Sequence, residues 1–286
     1  MIGQLVVFGV GLIGGSFALA LRQAGMVRHI VGFGRSAENL AAARAASVID
    51  EIGGDPAAVR DADLVALAVP VGQMGALLAA IAPHLGTRTV VTDMGSTKQN
   101  VVALARAHLG AHLPRFVPGH PIAGAEKSGV EAARADLFQQ RTVILTPLPE
   151  TDPAACRQVA QLWAACGAQV AEMTAAEHDA LFAAVSHLPH VLAFALVDYI
   201  AQRADGARLF SFAASGFRDF TRIAASSPEM WRDICLANGQ ALLREIAGYE
   251  AELARIKGLI EAGDGAALLE VFRRARDARE AWLKGQ

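Results

Sequence analysis

Cysteine is scarce in this chain. Cys156, Cys166 and Cys235 are the only three, an odd number with no Cys-x-x-Cys pair and no metal-ligand spacing. Such usage offers neither a disulfide framework nor a zinc cage, and it suits buried reduced thiols in a cytoplasm. An excess of one charge is missing too. The formal net charge is −2 over 286 residues, so nothing marks a nucleic-acid surface or an anionic membrane surface. A small anionic ligand would need a local cationic site. The apolar stretch at residues 181–197 contains His187, Pro189 and His190, which makes it short and polar for a bilayer span. The N-terminus enters an apolar strand with no basic segment or cleavage site before it, so no secretory signal is expected. Lysine is also rare, with none between Lys127 and Lys257.

What is present is apolar and ordered. Hydrophobic residues make up 53% and charged residues 19%, a balance that excludes intrinsic disorder. The length is comfortable for two domains. Strand-like runs at residues 4–9, 29–33, 63–69 and 89–93 alternate with helix-like segments at 14–24, 37–46 and 71–82. The run at 63–69 is continuously apolar, as a strand covered on both faces should be. This order predicts a parallel sheet with right-handed crossovers. Residues 141–146 and 169–172, with a helix near 154–166 between them, read as the far edge of the same sheet. From Thr174 onward only helical segments follow, ending in a helix pair split near residues 263–265. The predicted fold is α/β: a Rossmann-type, mostly parallel sheet domain over residues 1–172, then an all-α domain over 173–286.

Gly9-Val10-Gly11-Leu12-Ile13-Gly14 is a G-x-G-x-x-G that follows a strand and opens a helix, the context in which that pattern carries meaning. Gly9 permits the tight turn, Gly11 lets backbone approach a pyrophosphate, and Gly14 lets helix and strand pack closely. The phosphates would sit on free helix N–H groups, Leu12 and Ile13 among the contacting residues. Val69 and Pro70, just past the strand at 63–69, belong to the same expected site. A site for NAD wants an acidic residue at the end of the second strand, roughly 20 residues on. Here Gly34 removes the carboxylate, Arg35 can pair with a 2′-phosphate, and Ser36 can donate a hydrogen bond. NADP is therefore expected over NAD, with an exposed surface arginine as the plain alternative for Arg35.

Two further loops carry polar groups where open α/β sheets bind ligands: residues 93–98 (DMGSTK) and 118–129 (PGHPIAGAEKSG). His120, between Gly119 and Pro121, is placed by the sequence in a rigid turn. Beside a Gly-Ser loop on a dinucleotide fold it is a candidate base for alcohol oxidation. Lys98 reads equally as an aid to cofactor phosphates and as a helix-surface lysine. His178 begins a helix and reads as exposed. His187 and His190 lie three apart on a helix that Pro189 can kink. No acidic or cysteine set stands at ligand spacing near them, so no metal site is expected.

With these segments in place the chain resembles the prephenate/arogenate dehydrogenase family of tyrosine biosynthesis. The resemblance is carried by GVGLIGGS at residues 9–16, DMGSTK at 93–98, FVPGHPIAGAEKSG at 116–129, HDALFAAVSHLPH at 178–190 and SGFRDFTRIAASSPEMW at 215–231. It implies a nicotinamide-dependent oxidative decarboxylation of a cyclohexadienol, prephenate or arogenate. It also implies a homodimer formed largely by the helical domain. In that resemblance His120 is the catalytic histidine and Ser96 the serine that bonds it and the substrate hydroxyl. Ser186, His190 and Arg222 match substrate-contacting positions, and Arg222 is the carboxylate anchor that a dianionic substrate requires. Asp219 is the partner Arg222 would have in a purely structural ion pair. Glu126 matches an acidic residue at the site entrance, and Trp231 an aromatic residue reaching in from the partner subunit. Two rival readings remain. A β-hydroxyacid-type dehydrogenase would want a lysine on its helical domain, and none is evident. A non-catalytic NADP-sensing module would account for residues 9–14 and Arg35 but not for His120 with Ser96.

Overall fold

In the computed structural model, which describes residues 1–124 and 129–284, strands and helices alternate through the first part of the chain. They are β1 (Ile2–Phe8), α1 (Leu12–Gln23), β2 (Val27–Phe33), α2 (Ala37–Ala45), β3 (Glu51–Ile52), β4 (Leu64–Leu67), α3 (Met74–Ile81), β5 (Val90–Asp93), α4 (Gln99–His108), β6 (Phe116–Pro121), β7 (Thr142–Leu145), α5 (Pro153–Ala165) and β8 (Gln169–Glu172). After β8 the described elements are helical: α6 (Ala175–Phe182), α7 (Leu188–Ala201), α8 (Gly206–Ser211), α9 (Ser215–Thr221), α10 (Pro228–Ala237), α11 (Gly239–Glu261) and α12 (Gly265–Lys284). The sheet order is β3-β2-β1-β4-β5-β6-β7-β8, whose first six strands follow the doubly wound dinucleotide-binding order. All pair in parallel except β7, which runs antiparallel to β6.

Alternation along β1 builds two apolar layers. Leu5 and Val7 pack with Phe17 and Leu21 of α1 on one face, while Val6 joins Leu78 and Ile81 of α3 on the other. A strand buried on both faces must read as an unbroken apolar run, which is why β1 and β4 were legible.

Two strands escaped the sequence reading. β3 is only two residues long. β6 contains Pro118, Gly119 and Pro121, residues that normally signal a turn, so His120 lies in a strand and not in a tight turn. The strand forms because carbonyls hold it where the prolines have no N–H to give. Thr146 N–H donates to the Pro118 carbonyl at 2.9 Å, and His120 pairs with Ile144 across the antiparallel ladder.

The chain from Ala175 to Ala201 is continuously helical and, by length and composition alone, apolar enough to cross a bilayer, with a mean hydropathy of 1.9. Its His178 and Asp179 are nevertheless buried and bonded to α4 and β6. A π-helical turn at Ala183–His187 precedes Pro189. Pro189 would clash with a normal i−4 carbonyl, and the wider turn, closed by Leu188 N–H to the Ala183 carbonyl, relieves this. By internal packing the chain forms two compact units, Met1–Gly239 and the residues from Gln240 onward. Every side chain of the candidate site described below lies in the first.

Candidate active site

The loop after β1 is shaped by its glycines. Gly9 has φ +94°, and a Cβ there would lie 2.3 Å from the Ala68 carbonyl oxygen. A Cβ on Gly14 would lie 2.3 Å from the Gly9 oxygen and 2.9 Å from the Ala68 Cβ, so α1 could not approach β1 and β4 with any larger residue. Gly11 differs: nothing lies within 4 Å of the place its Cβ would take. It is the N-cap of α1, no side chain caps that terminus, and the first turn holds no acidic residue. Uncapped N–H groups at an open helix start, beginning with Leu12 and Ile13, suit a dinucleotide pyrophosphate. Val69 and Pro70 follow β4, beside Gly9.

At the end of β2, Gly34, Arg35 and Ser36 are all exposed. Ser36 caps α2 by accepting the Asn39 N–H at 3.1 Å. Asn39 in turn donates to the Val10 carbonyl at 2.6 Å and accepts the Val130 N–H at 3.1 Å. One side chain thus joins the glycine loop, α2 and the segment after residue 128.

The polar centre lies beyond the carboxyl ends of β5 and β6. Lys98 is fully buried and bonded to the Asp93 carboxylate, and its Nζ also donates to the Gly119 carbonyl at 2.5 Å. The helix-surface expectation for Lys98 is thereby corrected. It does not sit on a helix surface but pins the backbone just before His120. Burial lowers its pKa, and Asp93 and Asp179 oppose that shift. Asp93 also accepts N–H groups of Gly95 at 2.8 Å and Gly119 at 3.2 Å.

His178, expected at the surface, is wholly buried. Its Nε2 meets His120 Nδ1 at 2.8 Å and its Nδ1 meets Asp179 Oδ1 at 2.8 Å. The Asp179 carboxylate also takes the backbone N–H groups of Lys98 and Gln99, each at 2.8 Å, at the start of α4. His178 and Asp179 are the functional candidates that sequence reasoning missed. Their signal was an adjacent His–Asp pair four and five residues past Thr174, whose capping box with Glu177 starts α6.

Burial pushes the His120 imidazole well below its usual pKa, and the nearby His178, Lys98 and His187 push the same way. His120 is thus neutral at pH 7, the form a base requires. Its Nε2 has no hydrogen-bond partner among the described residues. Ser96, expected to bond His120, is partly buried in the loop after β5, and no hydrogen bond joins the two. The imidazole is held through Nδ1 by His178 instead.

His190 donates through Nδ1 to the Ser186 carbonyl at 2.9 Å, one turn earlier. The Trp231 ring stacks on it at 3.6 Å and 19°. Within this chain Trp231 is packed against His190. α10 docks on the turn Val71–Gln73, where a Cβ on Gly72 would lie 2.4 Å from Asp233 Oδ2. The buried Trp231 Nε1–H has no acceptor among the described residues. His187 is buried, contacts Asn238 at 3.1 Å, and is pushed down to about 4 by burial. The exposed Arg222 starts a 3-10 turn packed on α7, and its charge lowers the His190 pKa after burial has done so. Glu126 lies outside the described residues.

Residues 17–172 match the family model described as prephenate dehydrogenase, nucleotide-binding domain. Residues 174–274 match the one described as prephenate dehydrogenase, dimerization domain. The chain is 38% identical to a cyclohexadienyl dehydrogenase of Zymomonas mobilis over 281 residues, which span 97% of this chain and 95% of that one. Among solved structures it is similar to prephenate dehydrogenase of Aquifex aeolicus in complex with hydroxyphenyl propionate and NAD+. That similarity has TM-score 0.92 and 39% identity and covers 98% of each chain. It is also similar to Synechocystis arogenate dehydrogenase, with TM-score 0.82 and 29% identity over 98% and 99% of the two chains.

Proposed function

Because the chain belongs to the prephenate dehydrogenase family, we propose that it oxidatively decarboxylates prephenate or arogenate at the site around His120. The observation that carries this reading is His120 itself. It is a neutral imidazole at the sheet's ligand-binding edge, with Nδ1 engaged and Nε2 left for a substrate. The nicotinamide dinucleotide, when bound on the Gly9 loop, supplies the hydride acceptor. His120 Nε2 takes the ring-hydroxyl proton as C4 becomes a carbonyl carbon. The ring carboxylate then leaves as CO2, driven by aromatisation. Ser96, Ser186, His190, Trp231 and Glu126 are read as further substrate contacts. The deciding assay offers prephenate and arogenate, each with NAD and NADP, and follows CO2 release with reduced-cofactor formation. Release of neither from either substrate would overturn the reading.

Arg222 is read as the carboxylate anchor. Arg222→Ala is expected to raise KM about ten-fold or more, since a charge-assisted hydrogen bond contributes roughly 1.5–3 kcal/mol, while cofactor affinity changes little. Steady-state kinetics checks this, and an unchanged KM would assign Arg222 to structure instead.

NADP is read as the preferred cofactor. Gly34 leaves no carboxylate to repel a 2′-phosphate, and the exposed Arg35 supplies charge beside it. In the same assay kcat/KM for NADP is expected to exceed that for NAD more than about ten-fold. Equal values would overturn the preference. Assembly is read as a homodimer in the cytoplasm. The dimerisation-domain match supports the homodimer, as do Leu253 and Ile260 on α11 and Phe272 and Trp282 on α12, which are exposed in the single chain.

A further inference from the structure

Two side chains in series stand behind His120, and the proton positions along them follow from the far end. Both Asp179 oxygens accept backbone N–H groups, from Lys98 and Gln99. Burial alone would raise the pKa of this carboxyl. The bonds from His178, Gln99 and Lys98 outweigh it and keep the group ionised. An ionised carboxylate only accepts, so His178 must donate to it through Nδ1. Burial holds His178 below its ordinary pKa in spite of Asp179. At neutral pH it therefore carries one ring proton, already placed on Nδ1. Its Nε2 is a lone pair, and across the 2.8 Å contact His120 Nδ1 must be the donor. His120 is neutral as well, so its single proton is committed to that bond.

We propose that His178, backed by Asp179, is a positioning residue that holds His120 as the Nδ1–H tautomer and leaves Nε2 as the only basic nitrogen facing the substrate. The proposal rests on the reading of His120 as the base. The bond made by one ring nitrogen decides which nitrogen carries the proton. The opposite tautomer would turn the base lone pair toward His178 and give the substrate a donor it cannot use. Phe182, one turn past His178, packs on both rings at centroid distances of 5.0 and 4.6 Å and limits their rotation. His178 is buried with both nitrogens engaged, so it acts only through His120. A purely structural core histidine would affect stability without deciding where the His120 proton sits.

The test reads the proton directly. Nitrogen-15 spectra of the histidine rings, with His120 assigned by its loss in His120→Asn, should show His120 protonated on Nδ1 and bare on Nε2 at pH 7. In His178→Leu the His120 signals should move to mixed tautomers. Its kcat should fall at least about ten-fold, within the roughly 10⁴-fold that a wrong-tautomer histidine costs in serine proteases, with KM and cofactor affinity near wild type. His178→Gln keeps a carbonyl acceptor and should recover part of both signals; it also serves if the leucine variant does not fold. A wild-type His120 protonated on Nε2, or wild-type turnover in both variants, would overturn the proposal. Wild-type turnover in His120→Asn would instead overturn the base reading, and this proposal with it, whatever the spectra show.

Discussion

His120→Asn is expected to leave cofactor binding intact and to lower kcat about 10²–10⁴-fold, the usual contribution of a positioned general base. The asparagine is small enough to sit in β6 and keeps a polar tip toward His178, so folding and the Gly9 loop should survive. The pH profile of the wild type provides a second readout. The base form is the neutral imidazole, so activity is lost as pH falls through the His120 pKa. Burial first, then His178, Lys98 and His187, places that pKa well below the ordinary 6.5. kcat/KM should therefore be flat across neutrality, with its acid limb displaced below pH 6.5. Cofactor titration and single-turnover kinetics with the variant check the first claim, and a wild-type pH series checks the second. Near-wild-type turnover measured where chemistry is rate-limiting would remove His120 from the reaction.

What the sequence made legible was local. The glycine loop announces itself because Gly9 and Gly14 meet two separate steric demands while Gly11 leaves the helix start open, and the strand before it is apolar on both faces. The helix pair at the end was visible because its charges recur at helical spacing around residues 263–265. β6 was hidden by its own prolines: a strand held through its carbonyls leaves no trace in propensity. His178 was misread for a different reason. The capping box beside it says where α6 begins but not what the helix packs on. His120 and His178 are 58 positions apart, and nothing local says that one will bond the other. The place of Trp231 within its own chain was hidden in the same way. Its stacking on His190 depends on how α10 docks against the Val71–Gln73 turn, which periodicity cannot reveal. Lys98 has the same explanation: five residues from Asp93 across a loop, it reads as a solvated cation until the chain closes over it.

Lys98→Met is expected to destabilise the protein by about 3–5 kcal/mol, the range for removing one partner of a buried ion pair. The charge of Lys98 lies wholly inside the protein, and desolvation is its largest burden. What offsets that burden is the Asp93 carboxylate together with the Gly119 carbonyl. Methionine fills similar volume but leaves Asp93 buried with only the Gly95 and Gly119 N–H groups facing it. A fall of roughly 5–10 °C in Tm corresponds to that loss in a chain of this size. Replacing both partners, Asp93→Asn with Lys98→Met, should restore much of the stability, because neither charge is then stranded. The single variant should also report on the site. Lys98 presses the His120 pKa downward, so removing its positive charge favours the imidazolium and should move the acid limb of kcat/KM to higher pH. Freeing the Gly119 carbonyl should lower kcat as well, since that peptide carries His120. A melting temperature within a degree or two of wild type, with an unmoved pH limb, would mean that the pair neither anchors β6 nor tunes His120.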